Sequence, residues 1–410
     1  MSNTDTISFR RRDFDVTREL IVFGLIFFHT AGIFSEFPFY VKNEPPEPAV
    51  TVLVILVSFW GIPILFMIAG FAIWNSLQKR TTSAFVRERL LRLLIPFITG
   101  VLLIVPPQMY YALYSDPAYH GSYVQFYPRF LDITFNISFP WFFSATPESN
   151  VFTPANLWFL YILLVFTLLL LPVFLYLKNQ SGRELVGRIA QFSAGPWGLL
   201  LAAVPIAVIE AALGTDMAGG WNQSAYILFL FYGYLLGADV RFWQALRTYW
   251  KKSLAFAVVG TVGISVLFDI AESTSTDPLH TYDLASVALR FTKGFVGWSW
   301  IVAILGFIED VKKKRESESY SREASVMTNT RAFLARVERY ANEAILPFYI
   351  LHQTVIVAIG FYVVQLNTSA LLKFLVISLA SLAVTLLLYE IVIKRTRLTR
   401  LLFGMKAINE

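Results

Sequence analysis

Apolar runs long enough to cross a lipid bilayer recur along the whole chain. Each has 17 to 27 residues, and about 20 apolar residues in a helix span a hydrocarbon core of roughly 30 Å. Only 15% of the 410 residues are charged, against about 25% in a soluble domain. The runs lack the period-two alternation of membrane β-strands. We therefore expect an all-α fold, a polytopic transmembrane helix bundle forming one membrane-embedded domain over residues 1–410.

The pattern predicts about ten spans, at residues 17–36, 50–76, 92–113, 155–177, 196–213, 223–240, 253–269, 285–308, 343–364 and 370–393. Of the 34 lysines and arginines, 29 fall at the chain ends or in every second connection. The other five are Lys42, Arg129, Arg290, Lys293 and Lys373. Because basic residues collect on cytoplasmic loops, this distribution predicts that both termini are cytoplasmic. It also explains the net charge of +6 without a nucleic-acid partner.

Two long connections differ in composition. The predicted outer loop, about 114–154, is rich in Tyr, Phe, Trp and Pro. Its aromatic faces could stack on the sugar rings of an acceptor or form an interfacial belt. The predicted inner connection, about 309–341, carries charge runs and polar residues and reads as a solvated cytoplasmic linker.

The residue types present limit the chemistry. With no cysteine, disulfides, thiol nucleophiles and cysteine-based metal sites are excluded. The four histidines have no metal-ligand spacing, so we expect no metal. Glu210, within the fifth span, is expected to have a structural hydrogen-bonding role rather than a catalytic one.

The first span contains two ionisable residues that are candidates for function, because such residues are costly in a membrane. Arg18 and His29 are eleven positions apart, which is about 20° past three full turns and a rise of about 16 Å in an α-helix. They therefore lie on one face, with Arg18 at the cytoplasmic interface and His29 near the midplane. A guanidinium there suits a phosphate, and an imidazole suits proton transfer. The alternative is a snorkelling arginine and a structural histidine. Asp15, three residues before Arg18, is placed to orient it.

A second basic pair lies at the start of the third span. Arg89 and Arg92 are three positions apart, which places them on one face of an α-helix. They either anchor the span on its cytoplasmic side or form a clamp for phosphates.

Several motifs occur in a fixed order. They are Arg18 with His29, the segment FMIAGFAIW at 66–74, Arg89 with Arg92, NLWFL at 156–160 and LPFYILH at 346–352. Together they resemble the signature of the acyltransferase-3 family of integral membrane acyltransferases. Within that family, the chain is similar to glucan-modifying members such as the glucans biosynthesis protein C group.

The resemblance implies a membrane O-acyltransferase of the bacterial inner membrane, surrounded by membrane lipids. Such proteins pass an acyl group from cytoplasmic acyl-CoA to a hydroxyl of an envelope acceptor. The expected donor is acetyl-CoA or succinyl-CoA, and the expected acceptor is an extracytoplasmic glycan or a lipid-linked saccharide. By resemblance, His29 is the catalytic residue, Arg18, Arg89 and Arg92 contact the CoA phosphates, and His352 is a second family histidine at the substrate.

Other interpretations remain open at this point. Trp158 and Tyr349 either line the substrate cavity or serve in packing. His29 either removes a proton from the acceptor or carries the acyl group. Only 17 residues follow the last predicted span, so we expect the membrane part or a partner to complete the transfer. A transporter of glycans or acylated intermediates, or a non-catalytic envelope partner, would share the same basic inner face.

Overall fold

The computed structural model describes residues 12–136, 139, 141–195, 197–215, 219–319 and 328–406. Most of them are helical. The helices are α1 (Arg12–Phe34), α2 (Pro48–Ser58), α3 (Gly61–Lys79), α4 (Thr82–Arg89), α5 (Ile95–Leu103), α6 (Pro106–Tyr114), α7 (Tyr123–Phe130), α8 (Trp158–Lys178), α9 (Gln180–Ser193), α10 (Gly198–Leu201), α11 (Ala203–Leu213), α12 (Ala225–Ala238), α13 (Val240–Thr274), α14 (Leu284–Ser319), α15 (Thr328–Val363), α16 (Ala370–Leu388) and α17 (Arg397–Leu402). Two π-helical turns (Leu90–Leu94 and Tyr389–Ile393), one 3₁₀ turn (Ala155–Leu157) and two short strands, β1 (Ile133–Phe135) and β2 (Phe143–Ala145), complete the described structure.

The prediction of an all-α membrane fold is confirmed. Within the described residues, eight helical segments are long and apolar enough to cross a membrane. A ninth is added if Gln180–Ser193 and Gly198–Leu213, bent by 113°, count as one span. Helix α12, at the predicted span 223–240, has only 14 residues. The count of ten spans and the cytoplasmic termini therefore stay predictions.

The described residues group into two compact units. Those of unit 1 fall within Met1–Arg18, Leu56–Thr82 and Phe166–Thr328. Those of unit 2 fall within Glu19–Ile55, Ser83–Val165 and Asn329–Glu410. The expectation of one membrane-embedded domain over residues 1–410 stays a prediction.

Glycine lets helices of unit 1 approach backbone to backbone. A Cβ added at Gly70 of α3 would lie 2.0 Å from the carbonyl oxygen of Leu230 in α12. One added at Gly233 of α12 would lie 2.0 Å from the carbonyl oxygen of Met67. Small residues drive helix association in lipid because they permit this close packing. Any side chain at either position would therefore force α3 and α12 apart.

A buried ionic cluster in unit 1 contains two of the five basic residues predicted to lie outside. The ammonium of Lys293 donates to Glu210 Oε2 at 2.7 Å. The same carboxylate accepts the Thr215 hydroxyl at 2.8 Å and the Asn222 backbone N–H at 2.6 Å. Arg290 is completely buried and donates to four backbone carbonyl oxygens. The structural hydrogen-bonding role expected of Glu210 is therefore confirmed.

The other three of these basic residues have structural partners in unit 2. The ammonium of Lys42 donates to backbone carbonyls at the end of α1, where a helix leaves such groups without internal partners. Lys373 donates to the carbonyl oxygen of Val364, after α15, at 2.8 Å and to Asn43 Oδ1 at 3.0 Å. Arg129 donates to the backbone oxygen of Ser149 at 3.2 Å. Thus all five exceptions to the charge asymmetry satisfy carbonyl or carboxylate oxygens.

The described residues of the predicted outer loop belong to unit 2 and include a helix and two short strands. Helix α7 buries Phe126 and Phe130, and β1 pairs antiparallel with β2. Trp141 stacks on Tyr161 of α8, with ring centroids 5.4 Å apart and 8° between the planes. Its packed aromatic rings fit either an acceptor surface or an interfacial belt.

Helix occupies most of the predicted inner linker, 309–341. Helix α14 continues to Ser319 and α15 begins at Thr328, and residues 320–327 lie outside the described structure. An ion pair one turn apart, Lys314 with Asp310 at 2.8 Å, accounts for part of the extension. Lys313, Lys314 and Arg315, which we predicted to belong to a solvated linker, lie instead on the exposed surface of α14.

Candidate active site

Two histidines from distant parts of the sequence meet in unit 2. His29 of α1 and His352 of α15 have ring centroids 5.2 Å apart. His352 is completely buried, whereas His29 is partly exposed. The structure therefore brings the predicted catalytic residue against the second family histidine, and His352 is the more deeply buried residue of the two.

Backbone carbonyls fix the His352 ring. Its Nδ1 lies 2.8 Å from the carbonyl oxygen of Tyr349 and 3.2 Å from that of Phe348. Because a carbonyl oxygen only accepts hydrogen bonds, Nδ1 carries the hydrogen. In the neutral ring, Nε2 is then the acceptor. His352 is thus a rigid, oriented neighbour for His29.

Tyr349 and Asn156, both in unit 2, form two reciprocal hydrogen bonds from side chain to backbone. The Asn156 amide donates to the Tyr349 carbonyl at 2.9 Å, the same oxygen that accepts from His352. In return, the Tyr349 hydroxyl donates to the backbone oxygen of Asn156. Tyr349 is 5% exposed. These contacts fix the position of its side chain, and the predicted contact with substrate stays a prediction.

Three further polar residues extend this network, and the sequence analysis missed them. Gln108 of α6 donates to the Thr354 hydroxyl at 2.7 Å, and Gln353 donates to Gln108 Oε1 at 3.0 Å. Thr354 donates to the carbonyl oxygen of Ile104 at 2.7 Å. The sequence did offer a signal for them, because Gln108 and Gln353 are amide side chains within apolar predicted spans, where such groups often form hydrogen bonds between helices.

A loop tyrosine also reaches this network. Tyr40, after α1, neighbours the side chains of Thr153 and Gln353. Burial raises the pKa of Tyr40 to about 12, and these two side chains oppose the rise. The phenol is therefore neutral at physiological pH and keeps its hydrogen. Tyr40 connects the α1 loop to the residue that follows His352.

Aromatic rings surround the histidine pair. Phe348 stacks on His352 with centroids 5.7 Å apart and 1° between the planes. Phe28 and Phe39 lie 5.4 and 6.2 Å from the His29 ring. Such a wall lowers the local dielectric and strengthens the hydrogen bonds made within it.

Arg18 lies on the same uninterrupted helix as His29, as predicted. Its guanidinium donates to Asp15 Oδ1 at 3.3 Å, which confirms the expected orienting contact. The eleven-residue spacing corresponds to about 16 Å along the axis.

The predicted geometry of Arg89 and Arg92 needs a correction. Arg89 is the last residue of α4, with its guanidinium 4.9 Å from the centroid of the Phe85 ring. Arg92 lies in the π-helical turn Leu90–Leu94 and donates to Glu88 Oε1 at 3.4 Å. Since a π turn takes more residues than an α turn, the backbone positions of Arg89 and Arg92 are separated by a wider angle around the helix axis than α-helical spacing predicts. Turns of this kind often occur at functional sites.

Trp158, the remaining predicted site residue, begins α8 two positions after Asn156. Its ring lies 6.4 Å from Phe159, which is itself 5.9 Å from Tyr349. A role at the substrate stays a prediction for Trp158.

Apolar helices of membrane-spanning length, two of which bring His29 and His352 together, indicate an integral membrane protein. A family model described as an acyltransferase domain matches residues 11–390. No curated protein and no solved structure matches the chain. Because the family match covers nearly the whole chain, the protein belongs to the acyltransferase-3 family. It is a membrane acyltransferase that transfers groups other than amino-acyl groups.

Proposed function

We propose that the protein moves a short acyl group, acetyl or succinyl, from cytoplasmic acyl-CoA to a hydroxyl of an extracytoplasmic glycan or other envelope acceptor. The observation that carries the proposal is the partly exposed His29 against the completely buried His352. One imidazole can meet a substrate, and the other is held in place behind it.

In this proposal the donor binds from the cytoplasmic side. Arg18, Arg89 and Arg92 contact the phosphates of CoA, since guanidinium groups suit phosphate oxygens. The pantetheine arm then extends along α1, and the spacing of about 16 Å between Arg18 and His29 brings the thioester carbonyl to His29.

His29 acts as the general base. It takes the proton of the acceptor hydroxyl while the oxygen attacks the thioester carbonyl carbon. The new ester C–O bond forms, the C–S bond breaks, and CoA leaves as a thiolate that takes up a proton. Proton transfer requires only one accessible ring nitrogen, which suits the partial exposure of His29. His352, held by the carbonyl of Tyr349, positions the ring.

The test compares His29→Ala with wild-type protein. A positioned general base contributes about 10²- to 10⁴-fold to a rate, so kcat should fall at least about 100-fold. Release of CoA is followed with a thiol-reactive chromophore in liposomes, where the chain contributes no thiol of its own because it has no cysteine. Mass spectrometry of envelope glycans from cells making each variant identifies the product.

The matched control is His120→Ala in the exposed outer loop, which should keep full activity. Full acylation by a correctly inserted His29→Ala variant would contradict the catalytic assignment. Glycan movement without any dependence on acyl-CoA would instead favour a transporter. A labelled acyl group trapped on the protein after rapid quenching would show that His29 carries the acyl group.

A further inference from the structure

Four completely buried side chains near the histidine pair have polar atoms without hydrogen-bond partners among the described residues. They are Thr30 on α1, His352 on α15, and Ser378 and Ser381 on α16. The free atoms are the three hydroxyl oxygens and His352 Nε2. Buried polar groups are rarely left unpaired, and ordered water is a common partner when protein atoms are not.

Contacts along α1 and α15 show that these helices run in parallel. Phe23 lies 4.6 Å from Phe348, and His29 lies 5.2 Å from His352. Further along, a Cβ at Gly360 would lie 2.7 Å from the tip of Ile33. Thr30 is therefore at the level of His352.

Helix α16 runs antiparallel to α15. Lys373 near its beginning contacts Val364, and Tyr389 after its end lies 5.6 Å from Tyr340. Along the sequence, His352 is midway between Tyr340 and Val364. Ser381 is midway between their partners, Tyr389 and Lys373. Phe374 of α16 also lies against Phe34 at the end of α1, with ring centroids 6.0 Å apart. Because Phe34 is five residues after His29 and the two helices are antiparallel, this contact places the level of His29 about five residues after Phe374. Ser378 and Ser381 thus lie level with the histidine pair and face the interior of unit 2, because both are completely buried.

The polar atoms continue along α16 beyond this level. Ser378, Ser381, Thr385 and Tyr389 are all completely buried, and none of their hydroxyls has a partner within the described part of the chain. Steps of three, four and four residues keep them on one helix face. They correspond to rises of about 4.5, 6 and 6 Å. Two hydrogen bonds of about 2.8 Å span about 5.6 Å, so one water between successive hydroxyls closes each gap.

We propose that Ser378, Ser381, Thr385 and Tyr389 line a chain of ordered waters that connects His352 Nε2 with the end of α16. In the predicted topology this end is cytoplasmic. Tyr389 there neighbours Tyr340, and the adjacent Glu390, whose side chain is 37% exposed, pairs with Lys394 at 3.0 Å. The proposed chain of waters therefore ends at side chains that are exposed to solvent.

The inference rests on the proposed function and gives the proton a route. The acceptor oxygen loses its proton at His29, whereas the departing CoA thiolate takes one up on the inner side. His29 receives the first proton, and the water chain returns it to the inner phase through the His352 neighbourhood. One proton leaves oxygen and one reaches sulfur, so no co-reactant is required. The four side chains act as positioning residues.

The experiment uses the full chain in liposomes and the variants Thr385→Val and Ser381→Ala. Each should lower kcat at least about tenfold, leave KM for acetyl-CoA within about twofold of wild type, and raise the solvent deuterium isotope effect on kcat. Thr385→Ser should restore the wild-type values because it keeps the hydroxyl. Ser265→Ala on the exposed face of α13 is the matched control and should change neither quantity.

Unfolding midpoints separate folding from function. Valine replaces threonine with little change in shape, so Thr385→Val should unfold at or above the wild-type temperature. Wild-type kcat and isotope effect in both variants, together with an inactive His29→Ala, would overturn the water chain and leave the proposed function standing. An active His29→Ala would overturn the proposed function itself.

Discussion

Replacing Lys293 with methionine should destabilise the protein strongly. Lys293 Nζ lies 2.7 Å from Glu210 Oε2, and Glu210 has no exposed surface. Removing one partner of a buried pair costs about 3–5 kcal/mol because the other charge stays buried. Two donors to Glu210 remain, the Thr215 hydroxyl and the Asn222 N–H, so we expect about 3 kcal/mol. The assay is equilibrium unfolding of the full chain in mixed micelles.

The double variant Lys293→Met with Glu210→Gln separates charge from packing. It should recover most of the lost free energy of unfolding, since neutral residues leave no buried charge. Lys314→Met is the matched control, because the Lys314 side chain is 63% exposed in its pair with Asp310 and such pairs contribute at most about 1 kcal/mol. A loss below about 1 kcal/mol for Lys293→Met, or no recovery in the double variant, would refute the reasoning.

Two other predictions concern donor binding and pH. Replacing Arg89 and Arg92 together with alanine should weaken acetyl-CoA binding at least about tenfold in titration calorimetry, since hydrogen bonds to charged groups contribute about 1.5–3 kcal/mol each. The control variant Arg87→Ala, at an exposed position, should bind acetyl-CoA as the wild type does. Equal affinities of the double variant and the wild type would refute the role of Arg89 and Arg92 as a phosphate clamp. Asp283, before α14, accepts hydrogen bonds from Ser286 and other neighbours that hold its pKa well below the ordinary value of 3.8. The contribution of Asp283 to the free energy of unfolding is therefore complete above pH 3.8 and is lost as the pH falls below that value. Wild-type stability should consequently decrease with acid more steeply than that of Asp283→Asn. Parallel plots of stability against pH for the two proteins would contradict this.

Local chemistry made much of this protein predictable. A run of apolar residues needs no distant contact to indicate a membrane span, because the bilayer itself sets the length and polarity required. The eleven-residue spacing of Arg18 and His29 in α1 likewise follows from helix geometry alone. The ordered motifs then placed the chain in a family, which the match over 11–390 confirms.

Other features depend on packing. The π turn that follows Arg89 and contains Arg92 is not visible in the apolar pattern. Helix in place of a solvated linker at 309–319 reflects charges paired along a helix surface, such as Lys314 with Asp310. Composition does not distinguish a helix from a solvated loop at 309–319, because an exposed helix and a solvated loop contain the same types of residue.

The sequence by itself determined the helical class and the family, and it made His29 a candidate for catalysis. Only the tertiary structure decided what stands beside His29: the His352 ring at 5.2 Å, and behind it the Tyr349 carbonyl shared with Asn156. The physical reason is range. Periodicity and charge asymmetry act within a turn or across one bilayer leaflet, whereas the direction of a buried ring is set by side chains from distant helices that must fill one space and satisfy one another's polar atoms.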